Sequence, residues 1–186
     1  MRIIAGAFRG RRLHAPNSAR IRPTSDRVRE AVFSMIAEHV PDARVLDLFA
    51  GTGAVGLEAL SRGARFCCFV DNGTEALRLI RANIELCGAQ DRSRIIHGTV
   101  ASALRRLESE NELFDLVFLD PPYGKGYVEQ TLPIIRPVAG VGALVIAERH
   151  VKELQEPMSE PAWQKDRERR YGDTLISIYS RPAISK

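Results

Sequence analysis

The 186-residue sequence lacks any long hydrophobic run. A membrane-spanning helix needs about 18 or more apolar residues in succession, and no stretch of the chain approaches that length. The apolar run near the N-terminus is also too short for the hydrophobic region of a secretory signal peptide. Internal repeats and low-complexity segments are absent as well. We therefore expect a single-domain protein that has no membrane partner and is located in the cytoplasm.

Cysteine is scarce and poorly spaced for disulfide or metal chemistry. The chain has three cysteines, Cys67, Cys68 and Cys87, and the first two are adjacent within an apolar run. There is no C-x-x-C pair and no cluster of cysteine with histidine, and the four histidines share no spacing. We expect the cysteines to pack as small buried hydrophobic residues, and we expect no metal site.

Positive charge is concentrated at the N-terminus. Residues 1–29 contain eight arginines and one acid, Asp26, so this segment carries +7 while the whole chain carries +4. The remainder is therefore weakly negative. The arginines alternate with glycine and apolar residues, which favours a basic arm for a polyanion over a merely solvated tail. Arg9, Arg11 and Arg12 are the first candidates for RNA contacts, because Gly10 lets the backbone pass close to phosphates.

The middle of the chain alternates between buried strands and amphipathic helices. This order predicts a parallel sheet with helices on both faces. Residues 2–13 indicate a short hairpin or extended arm, and Thr24 or Ser25 can cap a helix that runs to about His39. Strands are predicted at Arg44–Phe49, Phe66–Val70, Arg94–His97, Phe114–Leu119 and Ala143–Glu148. Helices are predicted at Ala54–Ser61, Thr74–Leu86, Val100–Leu107 and Tyr127–Arg136, and the extended segments Trp163–Arg170 and Thr174–Ser180 form a closing antiparallel hairpin.

A glycine-rich loop follows the first strand. Gly51, Gly53 and Gly56 form a G-x-G-x-x-G motif between a strand and a helix, where glycine lets the backbone approach a ligand at the helix N-terminus. The motif alone also suits a dinucleotide-dependent oxidoreductase. Asp47 favours a different cofactor, because a carboxylate there would repel a pyrophosphate and attract the ammonium group of S-adenosylmethionine. The alternative is that Asp47 stabilises the turn by bonding to loop amides.

An acid also ends the second strand. Asp71 lies twenty residues after Gly51, which suits a bidentate hydrogen bond to two ribose hydroxyls. Either cofactor has a ribose, so Asp71 does not distinguish between them, and it could instead cap the following helix.

The sequence Asp120-Pro121-Pro122-Tyr123 follows the fourth strand. The lone pair of a nucleobase amino group is delocalised into the ring, and two acceptors on its N–H bonds would free that lone pair for attack. The Asp120 carboxylate and the Pro121 carbonyl can be these acceptors, held rigidly by two prolines. Tyr123 can stack on a base that has been swung out of its helix. We interpret these four residues as catalytic; the alternative is a proline-stiffened turn.

The sequence resembles a known family from end to end. The matching segments are Arg2–Gly6, Arg22–Glu30, Leu46–Ala54, Gly56–Ala64, Asp120–Tyr123 and Tyr171–Thr174. Together they are similar to the bacterial small-subunit (16S) ribosomal RNA (guanine-N2)-methyltransferases, which are Rossmann-like amino-methyltransferases with an Asp-Pro-Pro-Tyr motif. The resemblance implies an α/β fold with a seven-stranded, mostly parallel sheet whose last strand is antiparallel. Within a single compact domain overall, we predict a basic arm, residues 1–24, and a methyltransferase domain, residues 25–186.

The resemblance also implies the function. S-adenosyl-L-methionine is the expected cofactor, and the expected target is the N2 amine of one guanine in small-subunit ribosomal RNA, within a partly assembled particle. The enzyme is expected to act as a monomer. Adenine-N6 methylation of DNA or RNA remains an alternative, since both targets are exocyclic amines; a dinucleotide-dependent oxidoreductase is disfavoured because no Tyr-x-x-x-Lys pair is visible. The expected cofactor residues are Asp47, Phe49, Gly51, Gly53, Asp71, Asn72, Thr99 and Val100.

Two parts of this site stay open at the level of sequence. Many methyltransferases carry an acid after the third strand for the adenine amino group, whereas here Thr99 offers only a hydroxyl and Val100 an apolar surface. Arg22 and Arg29 are predicted to bind RNA, but with Thr24 they could instead hold the cofactor carboxylate or order the base pocket.

Overall fold

In a computed structural model, residues 1–16, 26–153 and 163–181 are described. They form one seven-stranded sheet flanked by five α-helices. In chain order the elements are α1 (Asp26–Met35), β1 (Arg44–Leu48), α2 (Ala54–Ser61), β2 (Phe66–Asp71), α3 (Thr74–Cys87), β3 (Ser93–His97), α4 (Val100–Ser109), β4 (Phe114–Leu119), α5 (Tyr127–Ile135), β5 (Ala139–His150), β6 (Gln164–Tyr171) and β7 (Thr174–Ser180). Among the described residues, no helix is both long and apolar enough to cross a membrane.

The strand order is β3-β2-β1-β4-β5-β7-β6. The strands β1 to β5 are parallel to one another, and β7 is antiparallel to both β5 and β6. This arrangement confirms the predicted mostly parallel sheet with an antiparallel last strand. The β6–β7 pair is the closing hairpin expected around Tyr171, Gly172 and Asp173.

Alternate residues of the strands supply two separate cores. One face of the sheet packs against the N-terminal segment, α1, α2 and α3, and the other packs against α4 and α5. On β1, for example, Val45 belongs to the first core while Leu46 and Leu48 belong to the second. A strand covered on both sides reads as a continuous apolar run, which is why the parallel strands were recognisable in the sequence. All three cysteines are free and buried in these cores.

Some element boundaries differ from the sequence prediction. The first helix was predicted to reach about His39, but α1 ends at Met35 and a 3-10 turn covers Ala37–His39. Its predicted start at Thr24 or Ser25 lies outside the described residues. Strand β5 runs from Ala139 to His150, longer at both ends than the predicted Ala143–Glu148. The hydrophobic run marked only the buried middle of this strand, whose ends carry glycine and charged residues.

The N-terminal segment folds back as a hairpin and packs on α2. A bridge joins Arg2 to Arg12, and the hairpin buries three apolar side chains, Ile3, Phe8 and Leu13, in the first core. The fully buried carboxylate of Glu58 on α2 accepts hydrogen bonds from the amides of residues 4 and 5, at 2.8 and 3.1 Å. The described part of the basic segment is therefore fixed to the body of the domain.

Candidate active site

The carboxyl ends of β1, β2 and β4 meet at one edge of the sheet, level with Glu148 near the end of β5. Leu48 pairs with Val70 on one side of β1 and with Leu119 on the other, and Leu119 pairs in turn with Ala147. Because paired residues are level, the positions that follow them are level too. Phe49, Asp71, Asp120 and Glu148 therefore lie in one row at the carboxyl end of the sheet, where open α/β sheets bind ligands.

Asp71 fixes the glycine loop to the end of β2. Its two carboxylate oxygens accept hydrogen bonds from the amides of Gly51 and Gly73, each at 2.8 Å. Gly51 and Gly53 have φ of +57° and +76°, a region that disfavours other residues. Each carboxylate oxygen keeps a further lone pair. The half-buried Asp71 thus positions the loop and still has acceptor capacity for a ribose.

The third glycine of the motif serves packing. A Cβ atom on Gly56 would lie 2.3 Å from the Phe69 ring and 2.5 Å from the sulfur of Cys67. Glycine is therefore required for α2 to approach β2 this closely, and this approach sets the position of the helix N-terminus behind the loop.

Phe49 has an unusual backbone conformation. Its φ is +62°, which is rare for a bulky residue and is typical of strained functional turns. Its ring packs against Tyr127, with the ring centres 5.5 Å apart. This turn ends β1 at Leu48, one residue earlier than predicted, and brings an aromatic side chain to the row of strand ends.

Asp47 lies inside β1, where its side chain is 2% exposed. Its Oδ2 accepts a hydrogen bond from the Gly56 amide at 3.0 Å. Burial raises the pKa of Asp47 from 3.8 to about 7, the Gly56 hydrogen bond opposes this rise, and the charge of Asp71 adds to it. These contacts match the second role considered for Asp47, that of an acid that stabilises the loop.

The remaining predicted cofactor residues lie beside the same edge. Asn72 is exposed directly after Asp71. Thr99 is the N-cap of α4, and its hydroxyl accepts a hydrogen bond from the Ser102 amide at 3.2 Å. Val100 is partly buried against the second core. Beyond Asp71, the same edge of the sheet therefore carries the polar Thr99 and the apolar Val100.

The Asp120–Tyr123 segment leaves β4 at the centre of the row. Asp120 is half-buried and Pro121 is buried, whereas Pro122 is exposed. The Tyr123 hydroxyl donates a hydrogen bond to Glu148 Oε1 at 2.8 Å, and its ring meets the His150 ring edge-on, 5.5 Å away. Burial raises the pKa of Tyr123, so its hydroxyl remains a donor. The ring that was expected to stack on a base is thus anchored through its hydroxyl.

Glu148 is a residue of this site that the sequence analysis did not identify. It lies on β5 next to Asp120, and only 8% of it is exposed. The available signal was an acid ending an apolar strand, the same signal that pointed to Asp71 and Asp120. It was overlooked because no motif surrounds it.

The arginines predicted to bind RNA are in different environments. Arg9 and Arg12 are exposed on the hairpin. Arg11 is also exposed, but its Nη1 donates to the Leu86 carbonyl at 2.7 Å and its guanidinium lies over the Phe8 ring. Arg22, like Thr24, lies outside the described residues.

Arg29 does not lie where an RNA-binding side chain would be expected. It is 1% exposed, its Nη2 donates to Asp26 and to the Arg2 carbonyl, and its Nε lies 3.6 Å from Glu58. The sequence placed it on the surface because it belongs to an arginine-rich segment. Its position on the inner face of α1, opposite a buried carboxylate, makes it part of the interior instead.

No group of three or more His, Cys, Asp or Glu side chains in residues 1–16, 26–153 and 163–181 is arranged to hold a metal ion.

The sheet order, the antiparallel β7 and the glycine loop after β1 define the fold of the Rossmann-like methyltransferases. An O-methyltransferase from Bacillus cereus, solved in complex with SAH, has this fold: its TM-score is 0.70 at 15% identity, over 86% of this chain and 83% of its own. A solved Thermus thermophilus protein, described as hypothetical, gives a TM-score of 0.80 at 31% identity, over 96% and 98% of the two chains.

The sequence comparisons are more specific. Residues 1–180 match the family described as conserved hypothetical protein 95. The Ribosomal RNA small subunit methyltransferase D of Escherichia coli K12 is 34% identical over 185 residues, which is 98% of this chain and 91% of that protein. The protein of the same name from Haemophilus influenzae is 35% identical over 136 residues, or 73% and 70% of the two chains. This chain belongs to the family of conserved hypothetical protein 95, together with these small-subunit methyltransferases. The family resemblance stated from the sequence is confirmed.

The buried Asp47 makes a specific prediction about stability and pH. Since its pKa is raised to about 7 on folding, the folded chain holds the proton more tightly than the unfolded chain does. Its contribution to stability is present at pH 4 and is lost as pH rises toward and past 7. Asp47→Asn keeps an oxygen for the Gly56 amide and has no charge to bury. The unfolding free energy of the variant, relative to wild type, should therefore rise by a few kcal/mol between pH 4 and pH 8.

Urea denaturation at a series of pH values measures this difference. Asp91→Asn, which removes an exposed acid, is the matched control and should give no such rise. A constant difference between Asp47→Asn and wild type across the range would contradict the burial argument. Calorimetry with S-adenosylmethionine separates the two roles of Asp47, because direct binding of the ammonium group requires the variant to lose affinity.

Proposed function

We propose that the protein is an S-adenosylmethionine-dependent methyltransferase that modifies the exocyclic N2 amine of a guanine in small-subunit ribosomal RNA. The observation that carries the proposal is the position of Asp120–Tyr123 at the end of β4, directly beside the glycine loop at the end of β1. This adjacency brings an amine-binding motif and a cofactor loop to the same edge of the sheet. The names of the Escherichia coli and Haemophilus influenzae relatives support the RNA class.

The residues at the ends of β1, β2 and β3 fit the cofactor. The turn at Gly51 and Gly53 lies directly before the N-terminus of α2, and Asp71 is held by two amides with acceptor capacity to spare. In the proposed site Asp71 and Asn72 hold the ribose, while Phe49, Thr99 and Val100 border the adenine. When bound, S-adenosylmethionine supplies a methyl group on an electrophilic sulfonium.

The protein's own contribution to methyl transfer is to prepare the amine. Asp120 accepts a hydrogen bond from one N–H of N2, and the Pro121 carbonyl accepts one from the other. These bonds orient the nitrogen lone pair, and the Asp120 carboxylate takes the proton that the nitrogen releases as its new bond to carbon forms. Tyr123, anchored to Glu148, provides the stacking surface. Hydride transfer by an oxidoreductase does not require a motif that binds an amine.

The hairpin supplies positive charge for RNA binding. Arg9 and Arg12 are exposed, and the buried Ile3, Phe8 and Leu13 fix their backbone to the domain. A fixed basic surface loses less conformational entropy on binding than a free tail does. Arg11 contributes charge from the same hairpin. By the family resemblance, the substrate is a partly assembled small-subunit particle. We expect the enzyme to act as a monomer.

Asp120→Asn tests the proposed chemistry. It should lower the single-turnover rate by about 10²–10⁴-fold, because a poorer acceptor must hold the amine and take its proton. Affinity for S-adenosylmethionine should not change. The substrate is the small-subunit particle from a strain that lacks this gene, and the product is identified by nucleoside mass spectrometry. Asp166→Asn, an exposed acid on β6, is the control. The proposal fails if the wild-type protein makes no N2-methylguanosine.

The hairpin predicts a salt-dependent RNA affinity. Each phosphate contact releases condensed counterions, so replacing Arg9 and Arg12 by alanine should weaken RNA binding and flatten the plot of log affinity against log salt. The slope should fall by up to about two units, one for each phosphate that is no longer neutralised. The matched control replaces Arg105 and Arg136, two exposed arginines on the opposite face of the sheet. Equal slopes in the two double variants would show that the hairpin is not the RNA-binding surface. Lys125 and the β6–β7 hairpin would then be the next candidates.

A further inference from the structure

A pocket lies beside Asp120, on the face of the sheet covered by α1 and α2. The pocket is partly open to solvent, and its walls come from α1, α2, β4, β5 and β7. Most of the lining is apolar, including the ring pair Phe33 and Phe118 with centres 5.5 Å apart. Three charged residues also line it: Arg29, Asp120 and Glu148. An apolar pocket with a few polar groups is the usual form of a small-ligand site.

Arg29 lines this pocket and carries a buried hydrogen-bond donor. Its Nη2 is bonded to Asp26, and its Nε faces Glu58 at 3.6 Å. Its Nη1 is buried and has no hydrogen-bond partner in the described structure. A buried charged donor without a partner costs free energy, and such groups are rare in native proteins unless a ligand completes them.

Glu148 and Asp120 bring two acceptors. The pairing of Leu119 with Ala147 puts them side by side on neighbouring strands, and alternation along each strand puts them on the face that carries Phe118 and Ile146. Glu148 Oε1 already accepts the Tyr123 hydroxyl. A carboxylate has about four lone-pair positions, so this bond fixes the orientation of Glu148 without exhausting its capacity.

We infer that this pocket recognises the Watson–Crick edge of the target guanine. That edge presents the N2 amine, then N1–H, then the O6 acceptor. The pocket presents two acceptors, Asp120 and Glu148, followed by a donor, Arg29. Asp120 binds N2, Glu148 accepts N1–H, and Arg29 Nη1 donates to O6. This inference rests on the proposed function and assigns its base specificity.

The same arrangement rejects the other amino bases. In adenine and cytosine, the ring atom next to the exocyclic amine is an unprotonated nitrogen. With such an amine at Asp120, that lone pair would face the Glu148 carboxylate in a mostly apolar pocket. A site built to hydrogen-bond one partner discriminates strongly against an analogue that leaves its buried groups unpaired. Glu148 is therefore the residue that selects guanine, and Arg29 reinforces the selection at position 6.

Glu148→Gln tests the role of Glu148 in base selection. Glutamine can still accept the Tyr123 hydroxyl through its oxygen, while its amide N–H offers a donor where the base N1 lies. The RNA carries guanine, 2-aminopurine or 2,6-diaminopurine at the methylated position, which is located by mass mapping and rebuilt by splinted ligation. Both analogues keep the N2 amine and lack N1–H. We expect the wild type to prefer guanine, and we expect the variant to lower the guanine rate about 10- to 100-fold while raising the relative rate of both analogues.

The two analogues test Arg29 without changing it, which matters because Arg29 also faces the buried Glu58. They differ only at position 6, where 2-aminopurine has hydrogen and 2,6-diaminopurine has an amino donor. A donor from Arg29 should make 2,6-diaminopurine the poorer substrate of the wild-type protein. Equal rates for the two analogues would remove Arg29 from base recognition.

Glu30→Gln, on the exposed side of α1, is the matched control and should keep the wild-type order of substrates. A purely structural role of Glu148 predicts that Glu148→Gln slows all three substrates in the same proportion, and this result would overturn the inference. If the wild-type protein methylates N2 of guanine but Glu148→Gln leaves the selectivity unchanged, only the pocket assignment fails. If the wild-type protein makes no N2-methylguanine, the proposed function itself fails.

Discussion

The parallel pairing of β1 with β2 on one side and β4 on the other is the constraint on which the site depends. It makes Val70, Leu48 and Leu119 level, so the residues after them emerge at the same height. The glycine loop and Asp120–Tyr123 are about seventy residues apart in the sequence, and only this pairing makes them neighbours. A slip of one residue in either pair would turn these side chains to the opposite face. The chemistry proposed for the site is therefore fixed by hydrogen bonds of the sheet.

A second set of contacts joins the basic hairpin to the wall of the pocket. Buried Glu58 accepts the amides of residues 4 and 5 and also faces Arg29 and Arg62. Arg29 in turn lines the pocket beside Asp120. Burying a charge is costly unless it is paired, so these groups hold one another in place. The proposed RNA surface and the proposed base pocket are thus built on one network of buried charges.

The repeated strand and helix pattern made most of the fold predictable. Short apolar runs marked the parallel strands, and Ala54–Ser61 and Phe114–Leu119 were predicted with the observed bounds. Motifs at strand ends located Asp71 and Asp120, because parallel strands put such residues at one edge. Local patterns do not report long-range pairing, however. The burial of Arg29 depends on Glu58, twenty-nine residues away, and the role of Glu148 depends on which strand lies next to β4. The bond of Asp47 to Gly56 likewise follows from the path of the loop.

The proposed site divides one row of strand ends between a cofactor half at β2 and an amine half at β4. Calorimetric titration of S-adenosylhomocysteine into wild type, Asp71→Asn and Asp120→Asn tests this division directly. Asp71→Asn loses an acceptor for the ribose and should bind about 10- to 100-fold more weakly, which is the effect of losing charge-assisted hydrogen bonds. Asp120→Asn should bind as tightly as wild type. Unchanged affinity in Asp71→Asn, or a comparable loss in Asp120→Asn, would contradict the account.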